Sequence, residues 1–194
     1  MELNKLSENL EKLGYKVSIF ENASEANKYL SNCIKNKTIG IGGSMTIEQM
    51  ALYDELIKNN EVFWHWRNPE DINKAAHADI YLSSVNGLSQ DGEIINIDGT
   101  CNRISATLYG HEKVIFILGV NKIADNYEAA LHRARNIAAV KNAIRLNKKT
   151  PCVKTGKCMN CNSPERICRG LSVLWEKPSN CDYEIVIINE ELGY

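Results

Sequence analysis

The sequence predicts a three-layer α/β fold: a mainly parallel, Rossmann-like sheet with a short irregular cysteine-rich segment near the C-terminus. Three observations carry this. Short apolar or β-branched runs alternate with helical patterns along nearly the whole chain, the signature of βαβ units. Two of the runs, 113–119 (KVIFILG) and 183–189 (YEIVIIN), are apolar almost throughout, as suits strands buried on both faces of a parallel sheet. The segment 147–181 breaks the alternation, being rich in Lys, Cys, Asn and Pro. At 194 residues the chain suits one domain over 1–194, with 147–181 as a metal-binding insertion before the last strand.

The elements follow in order. Leu3, Leu6, Leu10 and Leu13 recur at helical spacing, and Gly14 stops the helix. Residues 15–20 alternate as a strand does. Asn22 with Glu25 caps a second helix, whose apolar positions Ala26, Tyr29, Leu30, Cys33 and Ile34 keep the 3.6-residue period; Cys33 is therefore expected in the core. Residues 39–41 are a short buried strand, and a glycine turn leads into a helix expected to end near Asn59. The run 61–66 (EVFWHW) is aromatic and β-branched, hence a strand. Asn68-Pro69-Glu70-Asp71 reads as a helix start, with a cap, a proline and acids in the first turn. Residues 79–85 form a strand, 86–92 a polar turn, 93–97 a short strand, and 98–103 a loop opening another helix. Residues 125–146 read as one long helix after the 113–119 strand. No internal repeat or low-complexity segment is visible.

Composition narrows the function classes. The chain is 44% hydrophobic and 24% charged, with a formal charge of −1, an ordinary globular composition. No apolar run approaches the roughly 20 residues of a membrane helix. The start, MELNKLSENLEKLGYK, lacks the apolar stretch of a signal peptide. A cytoplasmic protein without membrane partners is expected, in which seven cysteines point to metal binding or reactivity rather than disulfides. Residues 133–169 hold ten Lys/Arg against one acid, Glu165, a net of +9, leaving −10 for the rest. Such a segment attracts an anionic ligand, an acidic partner or nucleic acid, balances thiolates, or forms a solvated helix face. It contains no aromatic residue to stack bases, which ranks nucleic acid last.

Ligands of open α/β sheets sit beyond the carboxyl ends of the strands. Four polar turns fall there: Gly42-Gly43-Ser44, Asn86-Gly87, Asp98 to Arg103, and Asn121-Lys122. Gly42 and Gly43 allow positive φ or close approach of a ligand. Ser44 and Thr46 are helix-cap candidates, and a helix N-terminus favours phosphate or carboxylate. Arg103 and Lys122 supply positive charge, one as a fork and the other as a point charge. Each turn also has an ordinary reading, since Asn-Gly and Asp-Gly suit turns unaided. Glu48 and Lys122 are the candidate catalytic groups, although Glu48 also suits a helix N-terminus without any chemistry. His65 is read as a packed strand histidine, and His77, His111 and His132 show no metal spacing.

Cys152, Cys158, Cys161 and Cys168 form C-x5-C-x2-C-x6-C, four thiols in a segment with little apolar residue content of its own. A metal would offset the entropy of ordering it. Zinc usually takes two CxxC pairs, and the second half has none. A [4Fe-4S] cluster accepts more variable spacing, and basic surroundings suit its thiolates, so the cluster is favoured, zinc is the alternative, and free thiols in a reduced cytoplasm are the remaining reading. Cys101 and Cys181 are reserve ligands.

Four stretches carry a family resemblance: GIGGSMTIEQM, ADIYLSSVNGLSQDGEIINIDGTCNR, VIFILGVNKIADNYEAALHRARNIAA and TPCVKTGKCMNCNSPERIC. In order and spacing the chain resembles the LUD-domain, or lactate-utilisation, family over its whole length. The resemblance implies a fold like that of ribose-5-phosphate isomerase and the CoA transferases. It implies a polar signature on Gly42, Gly43, Ser44, Asn86, Gly87, Asp98, Gly99, Asn102, Arg103, Asn121, Lys122 and Arg133. Cys101 stands where the family often has glycine, and the cysteine-rich tail marks a subset. The family link is to oxidation of lactate, often beside iron–sulfur protein subunits, which implies an oxidoreductase component acting on a small 2-hydroxy acid. The alternative is a ligand-sensing or partner-docking module with structural zinc. A homo-oligomer is compatible with either.

Overall fold

The computed structural model describes residues 3–179 and 181–194. Helix α1 (Leu3–Lys12) leads into β1 (Lys16–Phe20), and α2 (Ala23–Cys33) into β2 (Thr38–Ile41). Two short helices, α3 (Met45–Gln49) and α4 (Leu52–Leu56), precede β3 (Glu61–Trp64), and α5 (Asp71–Ala75) precedes β4 (Ile80–Ser83). A hairpin of β5 (Gly87–Ser89) and β6 (Ile94–Asp98) is followed by α6 (Asn102–Ala106) and β7 (Lys113–Gly119). A 3₁₀ turn, Val120–Lys122, reaches β8 (Ile123–Ala124). Then α7 (Tyr127–Arg133), a π-helical turn (Ala134–Ala138) and α8 (Ala139–Arg145) run on without a break. The chain continues through α9 (Pro151–Thr155), β9 (Gly170–Leu174) and β10 (Asp182–Ile188).

Six strands form one parallel sheet in the order β1-β10-β7-β4-β2-β3. The apolar runs at 113–119 and 182–188 occupy its centre because both their faces are covered. On β7, Ile115 and Ile117 enter one core, while Val114, Phe116 and Leu118 enter the other. Successive side chains of a strand point to opposite faces, so the two cores are the two interfaces of a three-layer fold. From β2 the chain runs outward to the edge strand β3 and returns to β4 on the other side of β2. That reversal opens a crevice beyond the carboxyl ends of β2 and β4. A second sheet, β8-β5-β6-β9, packs Ile95 against Ala130 and Ala134 of the long helical segment.

Local expectations hold at both ends of the first helical pair. Gly14 turns with φ +87°. Asn22 Oδ1 accepts from Glu25 N at 3.0 Å, and its amide donates to Glu25 Oε1 at 3.1 Å. Elsewhere the elements are shorter than expected. The helix after the glycine turn breaks at Ala51, in the left-handed region at φ 53°. The apolar positions change phase there: Ile47 and Met50 share one helical face, but Leu52 and Leu56 would miss it, and the break lets all four bury in one core. The start at Asn68 yields only the five residues of α5. Cys33 is exposed, because α2 ends at it and the next residue, Ile34, takes the buried place. Residues 86–92 contain β5, and 147–181 contain α9 and β9, the latter pairing antiparallel with β6. No helix among the described residues is long and apolar enough to cross a membrane.

Candidate functional site

A cleft of about 290 Å³ opens at the strand reversal. Its first wall is the turn after β2, with Gly43 and Ser44. Neither Gly42 nor Gly43 has positive φ; they are small because neighbours fill the space. A Cβ on Gly42 would lie 2.9 Å from Arg103 Cγ and from the Tyr81 hydroxyl, and one on Gly43 would lie 3.2 Å from Trp66 Nε1. Ser44 caps α3, its Oγ accepting from Ile47 N at 3.3 Å. Ser84 and Asn86, after β4, form the second wall, and Asp98, Gly99 and Asn102 the third. Asp98 fixes that loop: its Oδ2 accepts from the backbone of Arg103 (3.0 Å) and Ile104 (3.2 Å) at the start of α6.

Cationic groups gather beneath the cleft. Arg103 donates to Asn96 Oδ1 (2.6 Å), the Ile97 carbonyl (2.7 Å), Asn86 Oδ1 (3.2 Å) and the Ser84 carbonyl (3.3 Å). Every one of these acceptors is neutral, so its fork is spent on the protein while its charge is not. Arg133 donates to the Asn86 carbonyl at 2.6 Å and the Asn121 carbonyl at 2.8 Å. Lys122, only 3% exposed, donates to Thr46 Oγ1 at 2.8 Å and Ser84 Oγ at 2.9 Å. None of the three forms an ion pair among the described residues. Burial, reinforced by the charges of Arg133 and Arg103, brings Lys122 down to about 7. Burial alone brings Arg133 down to about 10. Burial also lowers Arg103, against the opposing pull of Asp98.

The cleft thus brings together Gly43, Ser44, Asn86, Asp98, Gly99, Asn102, Arg103 and Lys122. Gly42 lies under Arg103, and Gly87 packs where a Cβ would meet the Ala130 carbonyl at 2.5 Å. Asn121 serves the chain itself, its side chain accepting from Leu192 N at 3.1 Å. Arg133 braces the floor rather than lining it. Glu48 stands outside the lining and pairs with Arg67 at 2.8 Å. Residues that turn chemistry did not single out also line the cleft. Strand β3 ends at Trp64, so His65 and Trp66 lie beyond the sheet and in the cleft wall. Burial lowers the His65 pKa, partly offset by Asp98. Asn142 and Arg145 of α8, with Tyr194, form the far rim. Arg145 stacks on the Trp66 ring at 4.7 Å, donates to the Tyr194 hydroxyl at 2.8 Å, and stays exposed.

All seven cysteines carry free thiols. Cys152, Cys158, Cys161 and Cys168 line one small cavity of about 20 Å³. Among the described residues, no group of three or more His, Cys, Asp or Glu side chains is drawn tightly enough to hold a metal ion. Cys101 packs against Gly170, and Cys181 is buried beside the Glu112 carbonyl. Arg166 ties the cysteine loop together, donating to the carbonyls of Cys168 (2.8 Å) and Cys161 (2.9 Å). From the π turn, Asn136 Oδ1 accepts from Cys158 N at 3.0 Å and Arg135 reaches its Sγ at 3.6 Å. Burial raises the Cys158 thiol, but the Asn160 N–H and the two guanidinium groups of Arg135 and Arg166 outweigh it, so its pKa is lowered. Ala139 and Ile167 line both this cavity and the cleft.

One solved structure shares the architecture. A Deinococcus radiodurans DUF162 family protein of known crystal structure superposes with a TM-score of 0.54, at 12% identity, covering 96% of this chain and 95% of that one. A partial likeness to eIF2B beta from Chaetomium thermophilum has a TM-score of 0.32 and 14% identity, over 64% of this chain and 43% of that one. No curated protein matches the sequence. The LUD domain family model matches residues 3–188, and the chain belongs to the LUD-domain family.

Proposed function

We propose that the cleft binds a small carboxylate, a 2-hydroxy or 2-oxo acid, in the organic-acid utilisation that the family name implies. The observation that carries this is the excess of positive charge: three buried or nearly buried cations, Arg103, Lys122 and Arg133, have neutral hydrogen-bond partners among the described residues, against one carboxylate in the cleft wall, Asp98. Excess positive charge in a low-dielectric site favours an anion strongly. Arg103 and Arg133 act as fixed charges. Arg145, on the rim, is exposed and can turn from its Asn142 and Tyr194 partners towards a carboxylate, and Trp66 beneath it reports occupancy by fluorescence. Titration of the protein with lactate, pyruvate and the neutral amide of lactate is expected to show saturable binding of the acids alone. Arg145→Ala is expected to weaken that binding about tenfold, the equivalent of one charge-assisted hydrogen bond. Acids that bind no better than the amide would sink the proposal.

The four-cysteine cavity is the second part of the reading, as the seat of a [4Fe-4S] cluster. The donor chemistry fits: four cysteines line one cavity, and Arg135 and Arg166 stand beside it to balance thiolate charge. Cys152, Cys158, Cys161 and Cys168 would hold the cluster, the thiols drawing inward to do so. Bound there, the cluster supplies one-electron chemistry. Anaerobic purification is expected to give about four irons and four sulfides per chain with broad visible absorption; Cys161→Ser is expected to remove the colour. About one zinc per chain and no colour supports the structural, partner-docking alternative instead.

A further inference from the structure

We infer that Lys122 is a nucleophilic amine that captures the carbonyl carbon of a 2-oxo acid as a covalent imine. This rests on the carboxylate-binding reading of the cleft and narrows its substrate class to acids with a carbonyl next to the carboxylate. Four features of the geometry carry it. Lys122 is among the residues that line the cleft and is almost wholly buried, so its amine meets little bulk water. Its two hydrogen-bond partners, Thr46 Oγ1 and Ser84 Oγ, are neutral hydroxyls, and no carboxylate among the described residues holds it as an ammonium ion. Those hydroxyls lie 3.2 Å apart. They accept from the ammonium and can donate to a developing alkoxide, which suits a group that changes protonation during the reaction. Arg103 and Arg133 lie close enough to disfavour its charged form, the arrangement that activates a lysine beside another cation. Burial and those charges bring Lys122 near neutrality, so a substantial fraction is free amine at pH 7.

The step balances without any redox partner. The ammonium gives a proton to solvent, and the Nζ lone pair forms the N–C bond as the carbonyl π electrons move to oxygen. That oxygen takes a proton by way of the Thr46–Ser84 hydroxyl pair, giving the carbinolamine. Loss of the nitrogen proton and departure of the hydroxyl with a further proton release one water and leave the iminium. Overall, one ammonium and one ketone become one iminium and one water. The carboxylate of the acid is held by the surrounding positive charge, and the electron-poor iminium carbon then labilises a proton or a carboxylate on the adjacent carbon.

The test is reductive trapping. The protein is incubated with pyruvate and sodium cyanoborohydride, and its peptides are mapped by mass spectrometry, with lactate in parallel as an acid that lacks the carbonyl. The expected result is one reduced pyruvyl group, on the Lys122 peptide, at least tenfold more abundant than on any other lysine. The label is expected to be absent in Lys122→Arg, which keeps the charge. Its pH dependence in the wild-type protein should rise through about 7, with Arg103, Arg133, Arg145, Asp98, His65 and Tyr194 as the charged or titratable groups around the cleft. Mapping uses the wild-type chain, so the result does not depend on how the variant folds. Pyruvate that binds as well as lactate but leaves no label on Lys122 would overturn the imine and leave the carboxylate cleft standing. Label spread evenly over surface lysines would overturn it too. If neither acid binds, the cleft reading itself has failed.

Discussion

Lys122→Met is expected to stabilise the unliganded protein at pH 6 while removing most of its affinity for small carboxylates. The folded protein keeps this amine in a nearly water-free position, held by two hydroxyls and facing two arginines. Replacing a buried charge by an apolar side chain of similar length is often neutral or stabilising, by about 1–4 kcal/mol. The hydroxyls left behind have other partners: Thr46 and Ser84 reach each other at 3.2 Å, and Thr46 reaches the Leu192 carbonyl at 3.3 Å. The gain should depend on pH in one direction. An unfolded lysine releases its proton near 10.5, whereas the folded one releases it near 7. Between those values the unfolded chain binds more protons, so wild-type stability rises with pH across the interval. The advantage of Lys122→Met is therefore largest below pH 7 and shrinks towards pH 10. Urea unfolding of both proteins at pH 6, 7.5 and 9 reads this directly. A variant less stable than wild type by the same amount at all three values would mean that Lys122 is a structural hydrogen-bond donor with no charge penalty. Carboxylate binding gives the converse: an anion restores the proton, so binding above pH 7 should take protons up from the buffer.

The gross fold is legible because its strongest signals are local. A run such as KVIFILG needs no context to be read as a strand covered on both faces, and Asn22 with Glu25 forms its cap within four residues. The second sheet was hidden for the opposite reason. β5 has three residues and β8 has two, too few to display a period, and β6 and β9 pair across more than seventy residues of chain. The break at Ala51 follows from which face of the helix meets the sheet, which is a tertiary fact. At the site, the polar turns were readable because strand ends are where ligands collect. His65 and Trp66 were masked by their likeness to the strand before them. Arg145 and Tyr194 reach the cleft from elements distant in sequence, and no spacing rule connects them with Ser44. The most informative feature, that Arg103 and Lys122 form no ion pair among the described residues, is a tertiary property and cannot be read from charge counts.

The π turn at Ala134–Ala138 connects the two cavities. A π turn accommodates an additional residue in a helix and commonly marks functional positions. Here it directs Arg135 and Asn136 to Cys158, while Ala138 and Ala139 line the cleft. With small alanine side chains and Ile167 at the shared wall, a group held by the cysteines and an acid held near Lys122 would be close neighbours. The basic segment at 133–169, which sequence alone left open between a solvated face and a ligand-binding one, divides accordingly. Arg133 and Arg145 serve the cleft, Arg135 and Arg166 serve the cysteine loop, and lysines such as Lys141 and Lys154 are exposed to solvent.

Glu184→Ala is expected to cost about 1.5–3 kcal/mol, the range for hydrogen bonds to a charged group, since the lysines it leaves unpaired are partly exposed. Glu184 is in β10, near the middle of the sheet, and is 1% exposed. One carboxylate oxygen accepts from Lys113 of β7 at 2.6 Å. The other accepts from the Tyr29 hydroxyl of α2 at 2.6 Å and from Ser18 of β1 at 3.0 Å, and it lies 3.3 Å from Lys16 Nζ. A single side chain thus links three neighbouring strands and the helix packed over them, and its loss leaves the Lys113 ammonium without its acceptor. Burial opposes ionisation, but the bonds from Lys113, Tyr29 and Ser18 outweigh it, so the folded pKa lies below the ordinary 4.5. The folded state then binds fewer protons than the unfolded chain as pH drops below that value. The stabilisation is complete above about 4.5 and is lost as pH falls through the folded value. Urea unfolding at pH 7 should show the full gap between wild type and Glu184→Ala, and the gap should narrow in the acid range. Glu184 is buried but its lysine partners are partly exposed, so added salt should narrow the gap at pH 7 only in part. A gap that persists unchanged in acid would assign the loss to packing rather than to the carboxylate. A gap below about 1 kcal/mol at pH 7, the range of an exposed pair, would mean that the carboxylate contributes no more than a surface group does.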